Sequence, residues 1–319
     1  TAMGTAVIGI DLGGTYIKAG SLTPDGEILY RGRRQTRAEG GPEGVCDNIA
    51  AAVNECREAV GDREVVGVGI GSPGPLNVSR GIVYFAPNLP GWEDVPLRDM
   101  VADRTGLDCV VENDANAAAL GEQWKGAGAG CSSLVQFTLG TGIGGGIVLD
   151  GEVWHGFNDC AAEIGHMSID PEGPRCGCGN WGCVEAFASA TAMVRRIRET
   201  ISSGCKSTLS KMAPDDITAR DIYEAATEGD SAARENIHMT GFYLGVAVAN
   251  IMHVFNPEVV VFSGGVTAAG NMLLRPIRQT ARERSMEACR RDVKIRFAEL
   301  GEDAGIVGAG RSYMLLAEG

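Results

Sequence analysis

The apolar positions of the first forty residues alternate with turn residues in a pattern that predicts three strands in a meander. AVIGI is apolar, the glycines of DLGGT turn the chain, YIKAGSL reads as a second strand, PDGE as a tight turn and ILYRGRRQ as a third strand. The period then changes. In GPEGVCDNIAAAVNECREAV, Val45, Ile49, Val53, Cys56 and Val60 recur at helical spacing, which predicts a helix with one face on the sheet. VVGVGIG (65–71) reads as a buried strand, and DCVVEND (108–114) as another that runs into the helix ANAAALGEQW. Residues 134–155, LVQFTLGTGIGGGIVLDGEVWH, repeat the opening grammar of strand, glycine turn, strand, DGE turn and strand. An LG turn is joined to a DGE turn in both Leu12–Asp25 and Leu139–Asp150, so the chain reads as internally duplicated. Helical stretches follow at 184–203 and 218–252, then the strand EVVVF before SGGV, a further helix, the strand VKIRFAEL and a C-terminal helix around GIVGAGRSYMLL. Strands alternating with helices after each meander predict an α/β chain, and two related halves imply a central cleft. PNLPGWEDVPL (87–97) and GAGAG (126–130) are the loop or hinge candidates.

Composition adds limits. With 319 residues, 44% hydrophobic and 22% charged, the chain has room for two cores. No basic segment with an apolar run opens it, and no window looks close to the roughly 18 apolar residues of a membrane span, so a cytoplasmic protein without a membrane partner is expected. Thr1 and Ala2 ahead of Met3 read as an expression remnant. A net charge of −13 argues against nucleic acid as the main partner. The basic stretch ARERSMEACRR (281–291) includes Glu283 and Glu287 and reads as a solvated helix face. Ten cysteines in a reducing compartment point to buried small hydrophobes or metal ligands rather than disulfides.

The candidate chemistry lies in three places. DLGGT and LGTGIGGG place glycines between strands, where backbone N–H groups can converge on an anion and Thr15 or Thr141 can add hydroxyls. One such turn alone is a tight hairpin; two in duplicated positions favour phosphate binding. Gly140, Gly142 and Gly145 satisfy G-x-G-x-x-G, but a strand follows rather than a helix, so the dinucleotide context fails. The P-loop and protein-kinase signatures are missing. In CGCGNWGCVE, Cys176, Cys178 and Cys183 form C-x-C-x4-C, and His166 ten residues earlier completes a Cys3His set for a closed, structural zinc site. Glu163 and Glu185 flank that frame. Finally, Glu112, Asn113 and Asp114 stand at a strand-to-helix junction, where Asn or Asp alone would serve as a helix cap.

Together these stretches carry a resemblance. DLGGT, SPGP, ENDANAAALGE, LGTGIGGG, EIGHM and CGCGNWGCVE, in this order from residue 11 to 185, resemble the ROK family of sugar kinases, repressors and related reading frames, and within it the bacterial glucokinases. SGGV and the C-terminal AGIVGAG fit as well. The resemblance implies an actin-like ATPase fold of two duplicated ribonuclease H-like domains around a cleft. The expected domains are 1–117, with the C-terminal helix of about 303–319 packing back on it, and 118–302 with the zinc loop. It also implies ATP with magnesium as phosphoryl donor, a hexose acceptor and a homodimer or homotetramer.

Carried onto matching positions, the resemblance makes Asp114 the catalytic base and gives the sugar to Asn88, Asn113, Asp114, Glu163, His166 and Glu185. It gives the phosphates to Gly13, Gly14, Thr15, Thr141 and Gly142, the adenosine to Gly264 and Gly265, and magnesium to Asp11, and it places His166, Cys176, Cys178 and Cys183 on the zinc motif. Tyr16 departs from the pattern, standing where many relatives carry Lys or Asn. Glucose is the expected acceptor, with N-acetylmannosamine or fructose as alternatives and polyphosphate an open alternative donor. Two other classes have their own sequence requirements. A sugar-responsive regulator would carry a DNA-binding helix pair ahead of the first strand, which begins within ten residues here, and a zinc module on an inactive scaffold would not need Asp114.

Overall fold

Thr5–Leu12 (β1), Tyr16–Leu22 (β2) and Ile28–Gln35 (β3) form the expected meander, each strand antiparallel to the next. The structure, a computed structural model, describes residues 4–317, and the Thr1–Ala2 reading falls outside the described residues. The chain divides into two compact units: Thr1–Leu134 with Gly146–Ala162 and Ala298–Gly319, and Val135–Gly145 with Glu163–Phe297.

In the first unit the helix Gly41–Ala59 (α1) buries Val45, Ile49, Val53 and Cys56, the face its spacing predicts. Glu64–Ser72 (β4) pairs parallel with β1. Three short strands follow, Leu76–Asn77 (β5), Ile82–Phe85 (β6) and Glu93–Val95 (β7), which form a small antiparallel sheet of their own, and Leu97–Thr105 (α2) comes next. Within the loop candidate 87–97 the structure places β7, a strand of three residues that is too short to show a period in the sequence. Cys109–Asn113 (β8) pairs parallel with β4 and passes directly into Asp114–Lys125 (α3). The sheet order is β3-β2-β1-β4-β8.

The second sheet uses Leu134–Leu139 (β9), Ile143–Leu149 (β10) and Glu152–Val153 (β11), with two later strands. Val184–Ala188 (α4) and Ala190–Ser202 (α5) are separate helices, because Ser189 leaves helical geometry and accepts the Ala192 N–H as a cap. The expected helix over 218–252 is likewise two, Ala219–Thr227 (α6) and Ser231–Val254 (α7), divided at Asp230, which caps α7 by accepting from Ala233 N. Val259–Ser263 (β12), Asn271–Arg284 (α8), Glu287–Arg290 (α9) and Lys294–Phe297 (β13) complete the unit. The order β11-β10-β9-β12-β13 is third, second, first, fourth, fifth, the same permutation as the first sheet. The duplication read from the glycine turns is therefore a duplication of topology.

One expectation needs correcting. α7 is long and apolar enough to pass for a membrane span by length and composition, although no window was expected to come close. In the fold, 56% of that window is buried, and the helix packs against α5, α6 and α8 as the core helix of its unit.

The C-terminal helix Ala304–Ala317 (α10) packs on α3, β1 and β4 of the first unit. Glycine lets it come that close. A Cβ at Gly308 would overlap the Ala117 carbonyl of α3, and one at Gly69 of β4 would overlap the Ala309 carbonyl. AGIVGAG thus reads as a helix-packing device.

Candidate active site

Parallel strands β1, β4 and β8 end together, so the residues at their C-terminal edge become neighbours: Asp11 pairs with Gly71, and Ser72 with Asn113. Asn113 is the cap that an isolated motif would make it. Its Oδ1 accepts from Ala115 N at 3.0 Å and Asn116 N at 3.2 Å, and its Nδ2 donates to Gly74 O at 3.3 Å. One amide N–H remains for a ligand. Asp114, partly buried, accepts from Ala115 N at 2.8 Å. Burial pushes its carboxyl up to about 6; the Ala115 N–H opposes the rise and the negative charge of Asp11 adds to it. Asp11 is raised too, by burial, against the opposing charge of Lys18, whose Nζ lies 3.8 Å from Asp11 and from Glu302.

The β1–β2 turn continues this edge. Gly13 N donates to Tyr16 O at 3.0 Å, and Thr36 ties down the turn from β3's end, its Oγ1 donating to Gly13 O at 2.6 Å. A Cβ at Gly14 would sit 3.0 Å from the Asn88 Cβ, so Asn88 lies against the turn. Thr15 and Tyr16 are exposed, and the Arg33 guanidinium stacks 3.8 Å from the Tyr16 ring centroid. The first unit thus assembles Asp11, the Gly13–Thr15 turn, Asn88, Asn113 and Asp114 along one edge.

In the second unit, His166, Cys176, Cys178 and Cys183 bring their ligand atoms within 4.8 Å of one another. Cys176 Sγ lies 3.7 Å from His166 Nδ1, and Cys178 Sγ 3.7 Å from Cys183 Sγ. A tetrahedron with metal–sulfur bonds of about 2.3 Å has edges of about 3.8 Å, so the donor set fits a Cys3His metal site. The backbone folds for it: Gly179 N donates to Cys176 O at 3.0 Å, and Ser168 bridges to Cys183. His166 Nε2 stays directed away from the thiols, 3.9 Å from the exposed Glu163 carboxylate.

Glu185 links this loop to the second glycine turn. Its Oε2 accepts from Ile143 N at 2.9 Å, its Oε1 lies 3.5 Å from Cys176 Sγ, and a side chain at Gly142 would collide with it. The turn itself closes through Gly140 N to Gly142 O at 2.9 Å. Thr141 and Gly265 line a cavity of about 650 Å³ with Met193, Thr218 and Tyr223. Gly264, in the left-handed region at φ 90°, starts the turn that forms its wall.

Residues 7–314 match the family model described as the ROK family. The chain belongs to the ROK family. It is 43% identical over 305 residues to a glucokinase of Thermotoga maritima, with 95% of each chain covered. Among solved structures it is similar to a ROK hexokinase from Thermus thermophilus, with a TM-score of 0.84, 34% identity and coverage of 99% of this chain and 100% of that one. It is also similar to a ROK family glucokinase from Streptomyces griseus in complex with glucose and AMPPNP, with a TM-score of 0.78, 38% identity and coverage of 96% and 98%. The fold of this ROK chain is the actin-like ATPase fold, α/β with two duplicated five-stranded sheets.

The ROK motifs did not lead to Thr218 and Tyr223 on the cavity wall, which lie far along the chain from Thr141. A local signal existed for Thr218: T-x-x-D is a capping-box spacing, and Thr218 and Asp221 cap each other at the start of α6. It marks a helix start and carries no information about what the helix faces.

Proposed function

We propose that this ROK chain is an ATP-dependent hexose kinase that makes glucose 6-phosphate from glucose. The observation that carries the reading is the placement of the Asp114 carboxyl at the end of β8, on the strand edge that also holds Asp11 and the Gly13–Thr15 turn, where burial raises it to about 6 and leaves it able to take a proton. The Thermotoga relative and the Streptomyces complex with glucose and AMPPNP support it. The sugar 6-hydroxyl oxygen bonds to the γ-phosphorus while the bond to the β–γ bridging oxygen breaks, its proton passes to Asp114, and ADP leaves. Asn113 would orient the hexose with its remaining N–H, together with Asn88, Glu163, His166 through Nε2, and Glu185. Gly13, Gly14, Thr15, Thr141 and Gly142 would hold the phosphates, and Gly264 and Gly265 the adenosine side. Magnesium bound with ATP would neutralise phosphate charge, with Asp11 holding it through water.

Zinc is the metal we assign to the Cys3His set, where four closed ligands leave it a structural role. It would hold Glu163, His166 and Glu185 on one rigid frame, lowering the entropy lost when sugar binds. Cys178 is the exposed ligand, so Cys178→Ser changes the site without disturbing the core. The expected outcome is a chain with well under one zinc per protomer and a hexose KM raised at least about tenfold, read by metal analysis and initial rates. Full zinc content in that variant would remove Cys178 from the ligand set. The protein is further proposed to act in the cytoplasm as a homodimer or homotetramer, without nucleic-acid or membrane partners.

A coupled ADP-release assay over glucose, N-acetylmannosamine, fructose and mannose tests the whole reading. Glucose should give the highest kcat/KM. Folded, zinc-loaded protein that turns over none of these sugars would end the kinase reading.

A further inference from the structure

Glu112 is the acid of the β8–α3 junction that the proposed reaction does not use. It is 2% exposed, yet each of its oxygens is engaged. Oε1 accepts from Asn113 N at 2.9 Å and from Asn116 Nδ2 at 3.2 Å. Oε2 meets His155 Nε2 at 2.7 Å, a partner 43 residues further along the chain and in the same unit. A buried carboxylate that loses its cation either takes up a proton or turns toward water. Turning toward water would release the two donors that Oε1 holds at the start of α3, beside Asp114, and protonation of Oε2 would weaken them.

The histidine is itself held in place. It lies in the segment after β11, and four residues on Asp159 Oδ2 accepts from Val78 N at 3.1 Å. Burial alone would keep the ring neutral, but the hydrogen bond and charge of Glu112, with Asp159 adding, outweigh it and raise its pKa above the ordinary histidine value. The other ionisable groups around it, Arg98 of α2 and Asp108 and Cys109 at the start of β8, line the same cavity of about 510 Å³.

We propose that His155 is a positioning residue for the catalytic base: its hydrogen bond to Glu112 fixes the carboxylate that holds Asn113 and Asn116, and so aims Asp114. The proposal rests on the phosphoryl-transfer reading for its kinetic consequence, though not for its structural one. The general reason is that a base displaced by a fraction of an ångström from a hydroxyl loses much of its rate advantage.

The test compares His155→Leu and His155→Gln with the parent, by steady-state kinetics across pH and by amide hydrogen exchange. In His155→Leu, kcat should fall by about 10- to 100-fold with the KM for ATP within twofold. His155→Gln, which keeps an N–H donor, should recover most of the lost kcat. Exchange at residues 113–116 should accelerate in the leucine variant and stay near the parental rate in the glutamine variant. Unchanged exchange there, or equal kcat losses in both variants, would overturn the proposal. A parent protein that phosphorylates no hexose would defeat the kinase reading instead, and the exchange data would still decide whether His155 holds the junction.

Discussion

Asp114→Asn is expected to lower kcat by about 10²- to 10⁴-fold and at the same time to raise the melting temperature. The first effect follows from removing the carboxylate that is proposed to take the sugar proton. Asparagine keeps an oxygen for the Ala115 N–H, so the local geometry survives and the loss is chemical. The second effect follows from linkage. The carboxyl titrates near 3.8 when the chain is unfolded and near 6 when folded, so the folded state favours the protonated acid. That preference stabilises the protein fully below about pH 4 and is lost as pH rises through 6. At neutral pH the parent therefore holds a partly buried charge at some cost. A shift of this size corresponds to at most about 3 kcal/mol, and partial exposure reduces it to about 1–2 kcal/mol. Asparagine avoids the cost at every pH, so the gap between the two melting temperatures should be widest near pH 8 and close by pH 4. The rate–pH profile of the parent should fall below pH 6 with unit slope. Retention of more than a tenth of parental kcat by the variant would place the base elsewhere.

Much of this architecture was legible because it rests on local rules. The two meanders announce themselves through strand, glycine turn and DGE turn, and the permutation shared by both sheets follows from repeating them. The metal cluster was legible because ligand spacing in a tight loop determines which atoms can meet, and His166 with its three cysteines does meet. The misses have physical causes too. Ser189 and Asp230 break helices through side-chain caps that no hydrophobic period records. α7 looks like a membrane span because a helix buried among others needs no polar face. His155 and Glu112 meet across a long stretch of chain, and neither belongs to a motif with the other. GAGAG does form a loop between α3 and β9, but its glycine content gives no sign that Glu122 anchors it, with Ala127 N donating to Oε2 at 2.8 Å.

That carboxylate is the basis of the largest stability effect we expect. Glu122 is fully buried near the end of α3, and besides Ala127 it accepts from Glu299 N at 3.0 and 3.1 Å through its two oxygens and from Leu300 N at 2.8 Å. Glu299 and Leu300 follow β13, at the point where the chain returns from the second unit to the first and leads into α10. Three backbone donors from two distant segments thus converge on one side chain. Glu122→Ala would orphan all three and leave a cavity, for an expected loss of about 3–5 kcal/mol of stability. Glu122→Gln would turn an amide N–H₂ toward donors and lose about 2 kcal/mol. Gly126→Ala offers an independent route to the same contact. Its φ of −114° is not left-handed, so the main objection to a side chain is collision with Glu122 Oε2, with Leu300 Cγ a lesser contact at 3.0 Å. It should therefore be costly in the parent and much less costly in the Glu122→Ala background, and chemical denaturation of the two single variants and the double variant reads this directly. Additive losses would mean that the turn is destabilised for reasons of its own, and that Glu122 is not what GAGAG encloses.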